Sequence, residues 1–199
     1  MSVCKQPHTR PVWLAILLLA PALASAHPGI IGHDSALGAG LLHPLLGIDH
    51  LLAMLAVGLW AAQQGGRATW LLPAGFIGGM VGGALLGMQG TALALAEPGI
   101  AGSLLVLGLV VAGGRQLPLA AAIGVTTLFG LYHGHAHGTE MPLAAAPLLY
   151  GAGFVVTTAL LHTAGVAVGR TLLHQTLPQL LRLTGGAVAF AGALLLVSA

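Results

Sequence analysis

The chain has 199 residues, of which 57% are hydrophobic and only 5% charged, far below the roughly 25% charged residues of soluble domains. These figures exclude a water-soluble globule. The 31 glycines follow no Gly-X-Y period, and 5% aromatics with continuous apolar runs do not make an outer-membrane barrel. An all-α polytopic membrane bundle is the remaining solution, because small residues let helix backbones approach in lipid, where apolar burial drives association little. The ten histidines equal in number all Lys, Arg, Asp and Glu together, and the single cysteine, Cys4, excludes an internal disulfide framework and a thiolate cluster within one chain.

Residues 1–26 read as a secretory signal peptide. Lys5 and Arg10 form the positive region, Val12 to Ala20 a short apolar core, and Ala24-Ser25-Ala26 a small-x-small cleavage site. Cleavage leaves residues 27–199 as a single transmembrane domain with a short periplasmic amino-terminal segment. Its four Arg balance two Asp and two Glu, it contains no lysine, and it carries no nucleic-acid-binding patch.

Six spans are predicted, near Leu41–Ala62, Thr69–Met88, Gly99–Gly113, Leu117–Gly138, Pro147–Val168 and Pro178–Val197. Arg67, Arg115, Arg170 and Arg182 all fall on one side of these spans, while Glu97 and Glu140 fall on the other. By the positive-inside rule the arginine side is cytoplasmic, which places the mature amino terminus outside, as a cleaved signal requires. Runs such as Gly78-Gly79-Met80-Val81-Gly82-Gly83 and Gly113-Gly114 fit either tight helix packing or a discontinuous helix that turns backbone carbonyls toward an ion.

The first span opens on His43-Pro44-x2-Gly47-x-Asp49-His50 and continues to Met54. On a continuous helix His43, Gly47, His50 and Met54 share one stripe, with Gly47 leaving room between two imidazoles and a thioether. Asp49 points elsewhere, either to orient an imidazole on another helix or as an independent ligand. Pro44 suits a helical first turn, which would put His43 at the outer mouth. The fourth span closes on Tyr132-His133-Gly134-His135-Ala136-His137-Gly138-Thr139-Glu140. His133, His137 and Glu140 lie on one face and His135 on the opposite one, unless the flanking glycines let the helix unwind.

Both clusters therefore belong to the outer half of the bundle. Intramembrane ionisable residues are costly and usually functional, and neutral imidazole suits nickel, zinc, copper and iron. Alone in the fifth span, His162 reads as a hydrogen bond to a neighbouring helix, and His174 as a solvated link residue. His27 and His33, ahead of the first span, are either a capture site at the mouth or a solvated tail; a mature amino-terminal His27 would offer its α-amine beside its imidazole.

The two histidine motifs, with the signal and the His27-Pro28-Gly29 start, resemble the HupE/UreJ family of nickel and cobalt permeases, small bacterial inner-membrane proteins associated with hydrogenase and urease maturation. Tyr132 departs from the Phe expected before the first histidine of the second motif; it keeps a ring and adds a hydroxyl. The resemblance implies secondary import of Ni²⁺ or Co²⁺ from the periplasm, with His43, Asp49, His50, His133, His135, His137 and Glu140 recognising the metal. Met54, His27 and His33 join the candidate ligands from the residue reading. The expected partners are the transported divalent ion, the lipid bilayer and metallochaperones of hydrogenase or urease maturation, with no permanently bound cofactor.

Two other functions compete with transport. An intramembrane metalloenzyme would use His133-x3-His137, but further histidine boxes and a His-Glu-x-x-His motif are missing. A bis-histidine haem protein would pair His50 or His162 with a histidine of the fourth span. The chain has no Walker A pattern and does not hydrolyse ATP by that route.

Overall fold

The computed structural model describes residues 35–141 and 146–198, which form seven α-helices and, among the described residues, no strand. The predicted signal peptide, 1–26, and the candidate ligands His27 and His33 lie outside the described residues. The helices are α1 (Ala36–Leu46), α2 (Ile48–Gln64), α3 (Ala68–Met88), α4 (Ala96–Gly113), α5 (Leu119–Glu140), α6 (Pro147–His174) and α7 (Pro178–Ser198).

The predicted first span differs from the structure. Instead of one helix, α1 and α2 meet at Gly47 with a bend of 80°. Gly47 is extended at φ −92°, ψ 113°, which interrupts the hydrogen-bond ladder. With 11 residues, α1 is about 16 Å long and too short to cross a hydrocarbon core of about 30 Å. Ser35 caps it by accepting from the Gly38 amide at 3.1 Å. Pro44 sits in the last turn of α1, not in a first turn, and the helix stops two residues later.

The other five spans coincide with α3 to α7, their ends differing by a few residues from those predicted. Four helices, α3, α4, α6 and α7, are both long and apolar enough to cross a membrane, and a fifth span arises if the bent α1–α2 pair counts as one. The remaining predicted span, the fourth, is α5; it has 22 residues, but its last two turns carry His133, His135, His137 and Glu140, which dilute its apolar character.

Glycine governs how these rods pair. On α3, Gly79, Gly83 and Gly87 lie against the backbone of Thr127, Leu131 and His135; on α5, Gly130, Gly134 and Gly138 lie against Phe76, Met80 and Ala84. Each element therefore offers a four-residue glycine repeat to the other, and the helices meet main chain to main chain. Similar approaches join α4 to α7 at Gly108 and Gly185, α2 to α6 at Gly58 and Gly165, and α1 to α6 at Gly40 and Gly153. The Gly78–Gly83 run is thus tight packing on one face. Gly78 and Gly82 face open space, and α3 continues unbroken through the run. The discontinuity that glycine-rich sequence suggested occurs at Gly47 instead.

The four arginines gather toward one end of the bundle. Arg170 donates to Thr69 Oγ1 at 3.5 Å, the Arg182 guanidinium lies over Gly114, and Gln63 and Gln64 of α2 donate to the carbonyls of Val111 and Leu117 beside Arg115. The histidine motifs occupy the opposite helix ends.

Candidate metal site

Four helices build the site at that opposite end. The end of α1 carries His43, the first turn of α2 carries Asp49 and His50, the last turns of α5 carry His133, His137 and Glu140, and the start of α6 adds Tyr150 and Phe154. Because α5 stays helical to Glu140, positions 133, 137 and 140 face the same way. The break at Gly47 carries His43 off the axis of α2, yet both histidine pairs still converge: the ring of His137 lies 4.7 Å from that of His43 and 4.2 Å from that of His50, and His50 lies 4.7 Å from His133. The ligand atoms of His43, His137 and Glu140 lie within 4.8 Å of one another, with His43 Nε2 3.9 Å from Glu140 Oε2.

Exposure orders these groups from mouth to interior. The Glu140 side chain is 64% exposed and that of His43 33%, whereas His137 is 4% and His133 0% exposed. Burial of the imidazoles therefore increases from His43 through His50 to His137 and His133.

Hydrogen bonds determine which nitrogen each ring presents. His50 Nδ1 lies 2.7 Å from Asp49 Oδ1, and a carboxylate only accepts, so Nδ1 carries the proton and Nε2 presents its lone pair. Asp49 Oδ1 also accepts from the His50 amide at 2.8 Å. Gly47 makes this possible, since a Cβ there would sit 2.9 Å from both Asp49 Oδ1 and His50 Nδ1. Asp49 therefore orients its own neighbour rather than an imidazole on another helix.

In the interior, Ser103 Oγ spends its hydrogen on the Ile100 carbonyl at 2.6 Å, so His133 Nε2 must donate to Ser103 at 2.9 Å, leaving His133 Nδ1 as the acceptor. His50 Nε2, His133 Nδ1 and both nitrogens of His137 are buried with no hydrogen-bond partner among the described residues. A buried unpaired group costs about 1–3 kcal/mol, and three adjacent rings pay it here. Neutral imidazoles oriented by a second hydrogen bond, as those of His50 and His133 are, are the usual ligands of divalent transition metals.

Two predicted ligands fall outside this convergence. His135 points to the other side of α5, where its Nε2 donates to the Thr91 carbonyl at 2.7 Å, because nothing unwinds the helix at Gly134 or Gly138. Met54 is fully buried one turn below His50, and its recorded contact with a histidine is through its carbonyl, which accepts from His162 Nδ1 at 2.8 Å. The stripe of His43, Gly47, His50 and Met54 does not survive the bend. Conversely, Ser103 and the Phe76 ring, 5.5 Å from His133, were not among the sequence candidates, and no periodicity in α3 or α4 marks them.

His50 is in ring contact with both inward-facing α5 histidines, and the Phe76 ring packs on both His133 and His162.

Asp49→Asn keeps an oxygen for the His50 proton but removes the carboxylate charge behind the ring. In an equilibrium Co²⁺ titration of the purified protein, affinity is expected to fall about 10- to 100-fold, the usual effect of losing an outer-shell partner.

The HupE / UreJ protein family model matches residues 14–195. Protein HupE of Rhizobium leguminosarum bv. viciae is 43% identical over 184 residues, which cover 92% of this chain and 95% of that protein. No solved structure matches the chain.

Proposed function

The chain belongs to the HupE/UreJ family, and from that premise we propose that it is a secondary permease of the bacterial inner membrane that imports Ni²⁺ or Co²⁺ for hydrogenase or urease metal centres. The observation that carries this reading is the run of contacting imidazoles, from exposed Glu140 and His43 through His137 and His50 to buried His133. The metal is the cargo, and the protein supplies a graded path rather than a closed cage.

At the mouth, Glu140 offers charge and His43 and His137 replace water on the arriving ion. The Asp49-oriented Nε2 of His50 and the Ser103-oriented Nδ1 of His133 take it inward. Neutral imidazoles bind without neutralising the ion, so affinity stays modest and the ion is not trapped. With the histidine end outside and the arginine end cytoplasmic, an inside-negative potential favours inward movement by about 2.3 kcal/mol per charge per 100 mV. For a divalent ion this is about 4.6 kcal/mol. The 80° break at Gly47 divides His43 from His50 and is the place where a rearrangement could separate capture from release.

The test is uptake of ⁶³Ni²⁺ and ⁵⁷Co²⁺ at nanomolar concentration into import-deficient cells carrying the wild type or His50→Ala, at matched membrane abundance. Uptake by the wild type and its loss in the variant are expected, and the isotope preference ranks the two metals. A correctly inserted wild type that takes up neither isotope in energised cells refutes the reading.

A further inference from the structure

His162 lies in α6, beyond the cluster just described. It is 1% exposed, and its Nδ1 lies 2.8 Å from the Met54 carbonyl, one turn past His50 on α2. Since a carbonyl only accepts, Nδ1 carries the proton and the neutral ring turns the lone pair of Nε2 the other way. That nitrogen is buried and has no hydrogen-bond partner among the described residues. The ring meets Phe76 edge-on at 5.1 Å, and the same Phe76 ring lies 5.5 Å from His133, the innermost member of the outer cluster. On the same face of α6, one turn away, Thr158 donates to the Met80 thioether at 3.7 Å. His135 also has one bond to a backbone carbonyl and a buried unpaired second nitrogen; what distinguishes His162 is that the Phe76 ring links it to His133. An oriented imidazole with an unpaired lone pair, held deep in an apolar bundle, has the preparation of a ligand.

We propose that His162 Nε2 is an inner station for the divalent transition-metal ion, reached from His133 past the Phe76 ring. This rests on the transport reading above. The site would take the same borderline cations as the outer cluster and hold them more weakly, since it offers fewer imidazoles and no carboxylate.

His162→Asn separates a ligand from a structural link. Its side-chain amide can still donate to the Met54 carbonyl from the place of Nδ1, while Nε2 is gone. The experiment measures initial rates of ⁶³Ni²⁺ uptake against concentration for the wild type, His162→Asn and His162→Ala at matched membrane abundance. Alongside it, ¹⁵N-histidine spectra of purified wild type are recorded with Zn²⁺ as a diamagnetic probe, and the His162 signal is assigned by its absence in His162→Asn. The expected result is a maximal rate lowered about tenfold or more in His162→Asn, a half-saturating concentration within twofold of wild type, and a Zn²⁺-dependent shift of the His162 Nε2 resonance. Wild-type kinetics in His162→Asn would overturn the inner station and leave the transport reading standing. If the wild type takes up no nickel, the transport reading fails and the spectra decide the station: a shifted Nε2 retains it as a metal site, and an unmoved one removes it.

Discussion

His137→Ala is expected to lower the initial rate of nickel uptake about 100-fold or more at matched membrane abundance, a loss of about 2.7 kcal/mol or more in transition-state terms. The ring of His137 joins the two histidines of the first motif, contacting His43 at 4.7 Å and His50 at 4.2 Å, and it shares the three-residue ligand cluster with Glu140. Neither of its nitrogens has a hydrogen-bond partner among the described residues, so the substitution breaks no bond that holds the bundle together. A ligand role and a packing role therefore separate experimentally. Membrane abundance should stay near wild type while uptake collapses. His135→Ala is the matched comparison from the same turn: it removes a bond to the Thr91 carbonyl and leaves the outer cluster whole, so uptake per molecule should change by less than about threefold.

The second large effect is on assembly. Gly134→Leu is expected to remove most of the folded protein from the membrane, because a Cβ at Gly134 would come within 2.6 Å of the Met80 carbonyl carbon and 2.7 Å of its Cα. No side chain can rotate away from such a clash, since both partners are main chain. The cost exceeds the roughly 1–3 kcal/mol of ordinary overpacking. Gly82→Leu makes the same chemical change on α3 at a glycine with nothing within 4 Å, and abundance within about twofold of wild type is expected there. Immunoblots of membrane fractions, with a heat challenge in detergent, read both variants. Equal abundance of the two would contradict the backbone contact between α3 and α5.

The helices were legible where a property of the residues themselves defines them. Long apolar runs bounded by Gly, Pro and Arg locate α3 to α7, because a membrane-spanning rod needs a minimum apolar length. The placement of His133, His137 and Glu140 on one face, with His135 opposite, follows from helical pitch alone. The break at Gly47 was not legible, since its φ of −92° is open to any residue and the space it leaves is used by Asp49 and His50 of the next turn. Cross-helix partners were equally hidden: Ser103 under His133 and Thr91 under His135 depend on how far one rod slides along another, which periodicity does not encode. His162 was visible as an imidazole in an apolar span. What changed its meaning is the direction of its free nitrogen, which only the packed position of the Met54 carbonyl reveals.

Under the proposed function, this chain alone carries a divalent transition metal down an electrical gradient. The direct measurement is ⁶³Ni²⁺ accumulation by proteoliposomes containing only the purified protein, under an imposed inside-negative potassium diffusion potential. Accumulation above protein-free vesicles is expected, rising with the imposed potential and abolished by His50→Ala. Folded, inserted wild-type protein that accumulates neither nickel nor cobalt above protein-free vesicles at any imposed potential would contradict it.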